Sequence, residues 1–116
     1  MAVTAHASGT KTVAAVGTEE SFTTVTVAGT FTLHVDTVLL AAGDVLELRI
    51  KQMVLTGGTA RVAYFVRYDG AQPTDDLIKI SVPISNELTD AGALDFRLNQ
   101  TKGTARALPW KVLKYA

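Results

Sequence analysis

His34 and Asp36 stand two residues apart in a chain that also carries several serines, so a serine–histidine–aspartate relay can be drawn on paper. That chemistry needs a nucleophile on a sharp turn beside an oxyanion hole, and no segment supplies one. The other histidine, His6, lies in a stretch of small polar residues, and both histidines read as surface groups. Asp75 and Asp76 are adjacent and could join Asp69 around a hard cation. The same loop holds Gly70 and Pro73, a setting in which neighbouring acids are ordinary solvated turn residues. The carboxylates that glycoside hydrolysis would require fall in turns or on outward strand positions. No glycine-rich phosphate loop, paired histidine ligands or dinucleotide fingerprint is present. The chain therefore reads as non-enzymatic, with no catalytic residue, metal or cofactor expected.

Binding chemistry is easier to place. Arg49, Lys51, Arg61 and Arg67 fall on one parity of two neighbouring strand-like runs, with Glu47 as the acid among them. Such a face is either solvated or docks against an acidic protein surface. Phe65 is the aromatic on that face able to stack a base, which argues against nucleic acid. Tyr68 and Tyr115 end strand-like runs where a sugar could stack, but two scattered rings make no platform. Tyr64 and Trp110 fall on core parities. Thr4, His6 and Ser8 belong to residues 1–10, expected to be a flexible arm that orders on a partner. Together with the four cations, they are the expected partner contacts.

Composition narrows the classes further. A chain of 116 residues is one domain's worth and buries roughly two-thirds of its unfolded surface. Eleven basic and eleven acidic residues balance to zero, without the surplus that phosphate binding needs. Neutrality also weakens repulsion between copies, so self-association as a dimer or trimer is expected. Cysteine is absent, excluding disulfides and thiolate metal sites. No apolar run approaches the ~20 residues that span a bilayer, and the first residues lack a secretion signal. The expectation is a protein with neither membrane nor nucleic acid as partner.

The elements that must position these residues are strands. Residues 44–68 alternate with period two on both sides of Thr56-Gly57-Gly58, and a three-residue loop there sets Leu48 opposite Val66, Ile50 opposite Tyr64 and Glu47 opposite Arg67. Gly58 would supply the left-handed residue of the turn. Residues 21–28 and 30–36 read as a second hairpin, placing His34 beside Thr24, and residues 37–43 as an apolar crossing ended by Gly43. Ile78, Ile80, Val82 and Ile84 alternate inward against Lys79, Ser81, Pro83 and Ser85, with Pro83 marking an edge or bulge. A third hairpin is expected at Thr101-Lys102-Gly103, because residues 56–61 and 101–106 match at five of six positions. About eight short strands with regular turn signals point to an all-β fold: a two-sheet antiparallel sandwich of jelly-roll or Greek-key type over residues 11–116, with almost no helix. A closed barrel is the second choice.

The run from Gly29 to Tyr68 carries Thr-Phe-x-Leu-x-Val-Asp, Gly-Asp-x-Leu-Glu-Leu-Arg and Gly-Gly-Thr-x-Arg, and residues 103–111 carry Gly-Thr-x-Arg-Ala-x-Pro-Trp-Lys. This pattern resembles small structural proteins of tailed bacteriophages, most of all their capsid decoration (cement) proteins. The resemblance implies a virion component made in the host bacterial cytoplasm, seated on the capsid surface and bound to the major capsid protein. It assigns no site residues. The competing expectation is a tail- or fibre-associated module that binds host glycans through exposed aromatics.

Overall fold

The computed structural model describes residues 2–115. They form nine strands: β1 (Val3–Thr12), β2 (Glu20–Val25), β3 (Gly29–Asp36), β4 (Val45–Gln52), β5 (Arg61–Asp69), β6 (Ile78–Ile80), β7 (Ile84–Asn86), β8 (Leu94–Lys102) and β9 (Ala107–Tyr115). Among the described residues there is no helix. Sheet A runs β1-β9-β3-β6, with β7 also on β3, and sheet B runs β2-β8-β4-β5. All pairings are antiparallel. The first strand pairs with the last, the second with the next to last, the third with the broken strand β6/β7, and β4 with β5. This nesting is one long hairpin rolled into a two-sheet sandwich, the jelly-roll order. Pro83, which has no N–H to donate, lies in the break between β6 and β7 at the edge of sheet A.

The core lies between the sheets. Phe31, Leu33 and Val35 from β3, and Leu108 and Val112 from β9, face Leu46, Leu48 and Ile50 from β4 and Leu94, Phe96 and Leu98 from β8. Alternation with period two puts these residues on one side of each strand, and burying a large aliphatic or aromatic side chain stabilises by roughly 1.5–3 kcal/mol. Phe22 and Trp110 close one flank, ring centroids 5.2 Å apart.

The β4–β5 hairpin has the expected pairs Leu48 with Val66, Ile50 with Tyr64 and Glu47 with Arg67. Its loop is longer than three residues. A bulge follows Ile50, so Lys51 pairs with Val62 and Gln52 with Arg61, and the ladder stops there. Val62 is thereby turned to the outer face. The next residues leave for another partner: Met53 N–H donates to the Ala93 carbonyl, and Asp90 accepts from Thr56 Oγ1 and Gly57 N–H. Gly57, with φ +73°, is the left-handed residue here, not Gly58.

Three other expectations are corrected. Residues 3–10, expected as a loose arm, belong to β1 and pair along β9. The expected β2–β3 and β8–β9 hairpins are crossings between sheets, so His34 stands beside Ile80 and Lys111 and not beside Thr24. Strict alternation cannot distinguish neighbours within a sheet from partners across the sandwich, because both arrangements sort apolar with apolar. The third correction is the facing of residues 78–82. Lys79 and Ser81 are buried, while Ile78, Ile80 and Val82 are 50, 57 and 51% exposed. Lys79 pairs at 3.0 Å with Asp76, itself largely exposed, and lies 5.0 Å from the Tyr68 ring centroid. Ser81 Oγ accepts the Leu33 N–H, bonding sideways to the neighbouring strand. These polar side chains find partners in Asp76, the Tyr68 ring and the Leu33 N–H, and the isoleucines give way.

Candidate interaction surface

The two outer faces of the sandwich differ in chemistry. On sheet B, β4 and β8 present alternate polar residues outward, and their charges pair. Glu47 lies 2.9 Å from Arg49, Glu19 reaches Lys51 at 3.7 Å and Arg97 at 3.3 Å, and Asp95 holds Arg97 at 2.7 Å. Ser21 donates to the same Asp95. Arg49 stacks over Phe65 at 4.7 Å, and Arg67 pairs with Asp69 at 3.0 Å. Of the expected basic patch, Arg49, Lys51 and Arg67 are therefore paired with Glu47, Glu19 and Asp69, while Asp95 is taken up by Arg97 of β8. Arg61 alone of the four has no ion pair among the described residues. Two of these acids, Glu19 and Asp95, come from outside the hairpin and could be assigned to this face only once β2 and β8 had been placed beside β4.

Sheet A's outer face carries little charge. β3 contributes Thr30, Thr32, His34 and Asp36, β9 contributes Lys111, Leu113 and Tyr115, and β6 adds Ile78 and Ile80. Asp36 and Lys111 are its formal charges. Thr32 Oγ1 bonds His34 Nε2 at 2.9 Å and the Tyr115 hydroxyl at 3.1 Å. Partial burial, and then the nearby Lys111 charge, hold the His34 imidazole below its ordinary pKa, so it is neutral near pH 7. A shallow groove of about 280 Å³ runs past His34, Asp36, Ile78, Pro109, Trp110 and Lys111. It adjoins a hollow edged by Asp75, Asp76 and Val38.

The drawn relay is not assembled. His34 is hydrogen-bonded to Thr32, Asp36 accepts the Val38 N–H, and Ser85 is bonded to Thr30. Among the described residues, no three His, Cys, Asp or Glu side chains converge as a metal site. Nor do the aromatics form an exposed cluster: Phe65 sits under Arg49, Tyr68 under Lys79, and Trp110 against Phe22. Burial, with help from Tyr64 and Asp76, pushes the Tyr68 hydroxyl up to about 12.

The seven expected contact residues do not share a surface. Ser8 lies on sheet A's outer face beside Lys111, and Thr4 is exposed beside Lys114. His6, at a bulge in β1, turns inward onto the Phe31 ring and the Thr24 carbonyl. Arg49, Lys51, Arg61 and Arg67 belong to the opposite sheet. The sequence reading missed Ile78, Ile80 and Val82. A usable signal was present in Asp76 and Lys79, spaced to pair, and in Pro83.

No helix among the described residues is long and apolar enough to cross a membrane. No protein-family model matches the chain, and neither does any curated protein or solved structure.

Proposed function

We propose that this chain is a non-enzymatic structural protein of a tailed-phage virion, a jelly-roll decoration protein that seats on the major capsid protein through the outer face of sheet A. The observation that carries the docking face is the contrast between the two sheets. One outer face is a network of ion pairs that takes up three of the four expected cations, with Val62 and Phe65 exposed toward its β5 edge. The other exposes Ile78, Ile80 and Val82 around a neutral histidine, and apolar surface of this kind marks protein contacts. Size supports the reading. The molecule measures 41 × 30 × 19 Å, so a broad face offers on the order of 1,200 Å², above the roughly 800 Å² per partner of a standard interface. The virion assignment rests on the sequence resemblance, and repetition on a lattice would let modest contacts per copy add up.

Quantitative mass spectrometry of purified particles from the source of this chain tests the assignment. Hundreds of copies in simple ratio to the coat protein are expected; a handful of copies, or none, overturns it. Ile80→Asp should lower attachment at least tenfold, while Arg67→Ala on sheet B leaves it unchanged.

A further inference from the structure

Sandwiches have four sheet edges, and three of those here are blunted. β2 is six residues long, carries a bulge between Ser21 and Thr23, and begins at Glu20, directly after Glu19. β5 presents Arg61 and Arg67 and faces a bulge after Ile50. β6 and β7 are three residues each, separated by a stretch containing Pro83. Charges, bulges, proline and short length are the devices that keep an edge from pairing with another chain. The fourth edge is β1, ten residues long, without proline, and paired on one side only.

Its two titratable side chains are engaged within the sandwich. Lys11, its sole formal charge, reaches Glu20 of β2 at 3.3 Å. His6, at the strand's bulge, points inward to the Thr24 carbonyl at 3.2 Å. Residues 7–12 form a regular run after the bulge, and their side chains are small apart from Lys11. Ser8 and Thr10 share the outer face with Lys111 and Pro109, while Ala7 and Gly9 face inward against Val112 and Trp110.

We propose that β1 pairs antiparallel with β1 of a second copy across a two-fold axis, joining two five-stranded A sheets into one ten-stranded sheet. A strand is its own partner in this arrangement, because antiparallel pairing across a two-fold is isologous. The central registers, in which Ser8 and Thr10 stay on the outer face, set Lys11 opposite Ala7 or Gly9. No like charges oppose, and hydroxyl side chains meet on the outer face, a favourable cross-strand combination. The zero net charge removes the long-range repulsion between copies. The exposed Ile80 stripe lies at the far edge of sheet A from β1, so dimerisation leaves it open. The inference goes beyond the virion reading and does not depend on it: a solution dimer stands if no particle contains the chain, and a monomer falls even if one does.

Sedimentation analysis of the full chain from about 1 to 200 µM tests it, a range matched to the micromolar affinity expected of a short strand pairing. The expected result is a shift from the 12.3 kDa monomer to twice that mass. Ser8→Lys with Thr10→Lys should weaken the dimer at least tenfold, while Val62→Lys at the β5 edge leaves it intact. Amide exchange in residues 7–12 of the unsubstituted protein should slow as concentration rises, a readout that needs no variant. A monomer throughout, a trimer, or a dimer insensitive to the β1 substitutions overturns the proposal.

Discussion

Residues 56–61 and 101–106 read TGGTAR and TKGTAR, yet the first closes a hairpin within sheet B and the second carries the chain from sheet B to sheet A. Each segment is gripped by an aspartate distant in sequence, but at different points. Asp90 takes Thr56 Oγ1 at 2.7 Å and Gly57 N–H at 2.8 Å, the first two positions. Asp44 takes Thr104 N–H at 3.1 Å and Arg106 Nε at 2.6 Å, the fourth and sixth. Gln100, fully buried, adds to the second grip: its amide donates to the Lys102 and Thr104 carbonyls and accepts the Arg106 N–H. The backbones diverge accordingly. Left-handed φ falls on Gly57 in one segment and on Gly103 in the other, one position later. The single differing residue, Gly57 against Lys102, sits where that choice is made. Local sequence permits both turns, and polar partners distant in sequence select between them.

The comparison is most easily broken at the glycines. Gly103 has φ +94°, and a Cβ there would run into Asp44 Oδ1 and come within 2.8 Å of the Asp44 Cα. Nothing nearby can yield, because Asp44 is buried and bonded to Ala41 N–H as well as to Thr104 and Arg106. Gly103→Ala should cost about 3–5 kcal/mol in urea unfolding, enough to consume most of a small domain's stability. The equivalent change, Gly58→Ala, meets the Leu55 carbonyl at 2.8 Å, but in an exposed turn free to shift. Its cost should stay near ~1 kcal/mol.

Next in size is the grip itself. Asp44→Asn removes the charge from a buried ion pair while keeping its shape, and should cost about 2–3 kcal/mol. Asp90→Asn, at an exposed turn, should cost ~1 kcal/mol or less. Acid probes the same contrast without substitution. The Arg106 hydrogen bond, with the Ala41 and Thr104 amides, holds the Asp44 carboxyl below its usual 3.8 despite burial. A depressed folded pKa means that this stabilisation is complete above the unfolded value and is lost as pH falls from about 3.8 through the folded pKa. Thermal melts between pH 6 and pH 2 should therefore show an acid-induced loss in the parent that is smaller in Asp44→Asn.

How much of this was legible follows from where each constraint lies. Pairing of Leu48 with Val66 could be read because both residues belong to one local hairpin and a period of two marks its inward face. The sandwich class was legible for the same reason, strand by strand. The crossings were not, because nothing in the local sequence says that Asp44 and Gln100 meet the turn at residues 101–106 until β4, β8 and β9 are assembled around them. Inversion of residues 78–82 was hidden because Lys79 buries only where Asp76 and the Tyr68 ring receive it, and Tyr68 comes from the other sheet. The ion pairing of sheet B was hidden for the same reason: the arginines looked free while Glu19 and Asp95 were still unplaced.

A single substitution at the tip gives the sharpest form of the comparison. Gly57→Lys makes the two hexapeptides identical. No atom lies within 4 Å of a Cβ at Gly57, so the cost is that of placing an L-residue at φ +73°, about 1–2 kcal/mol. If the hexapeptide chose its own connection, the identical copy would tend toward the crossing conformation and the β4–β5 ladder would fray. The distant grips predict otherwise: Asp90 still holds Thr56, and among the described residues no Asp44 or Gln100 equivalent bonds Thr59 or Arg61. Amide exchange should thus leave the Leu48–Val66 and Ile50–Tyr64 pairs protected while the tip at residues 54–58 opens faster. Loss of protection along β5 instead would assign the choice of turn to the hexapeptide and not to its partners.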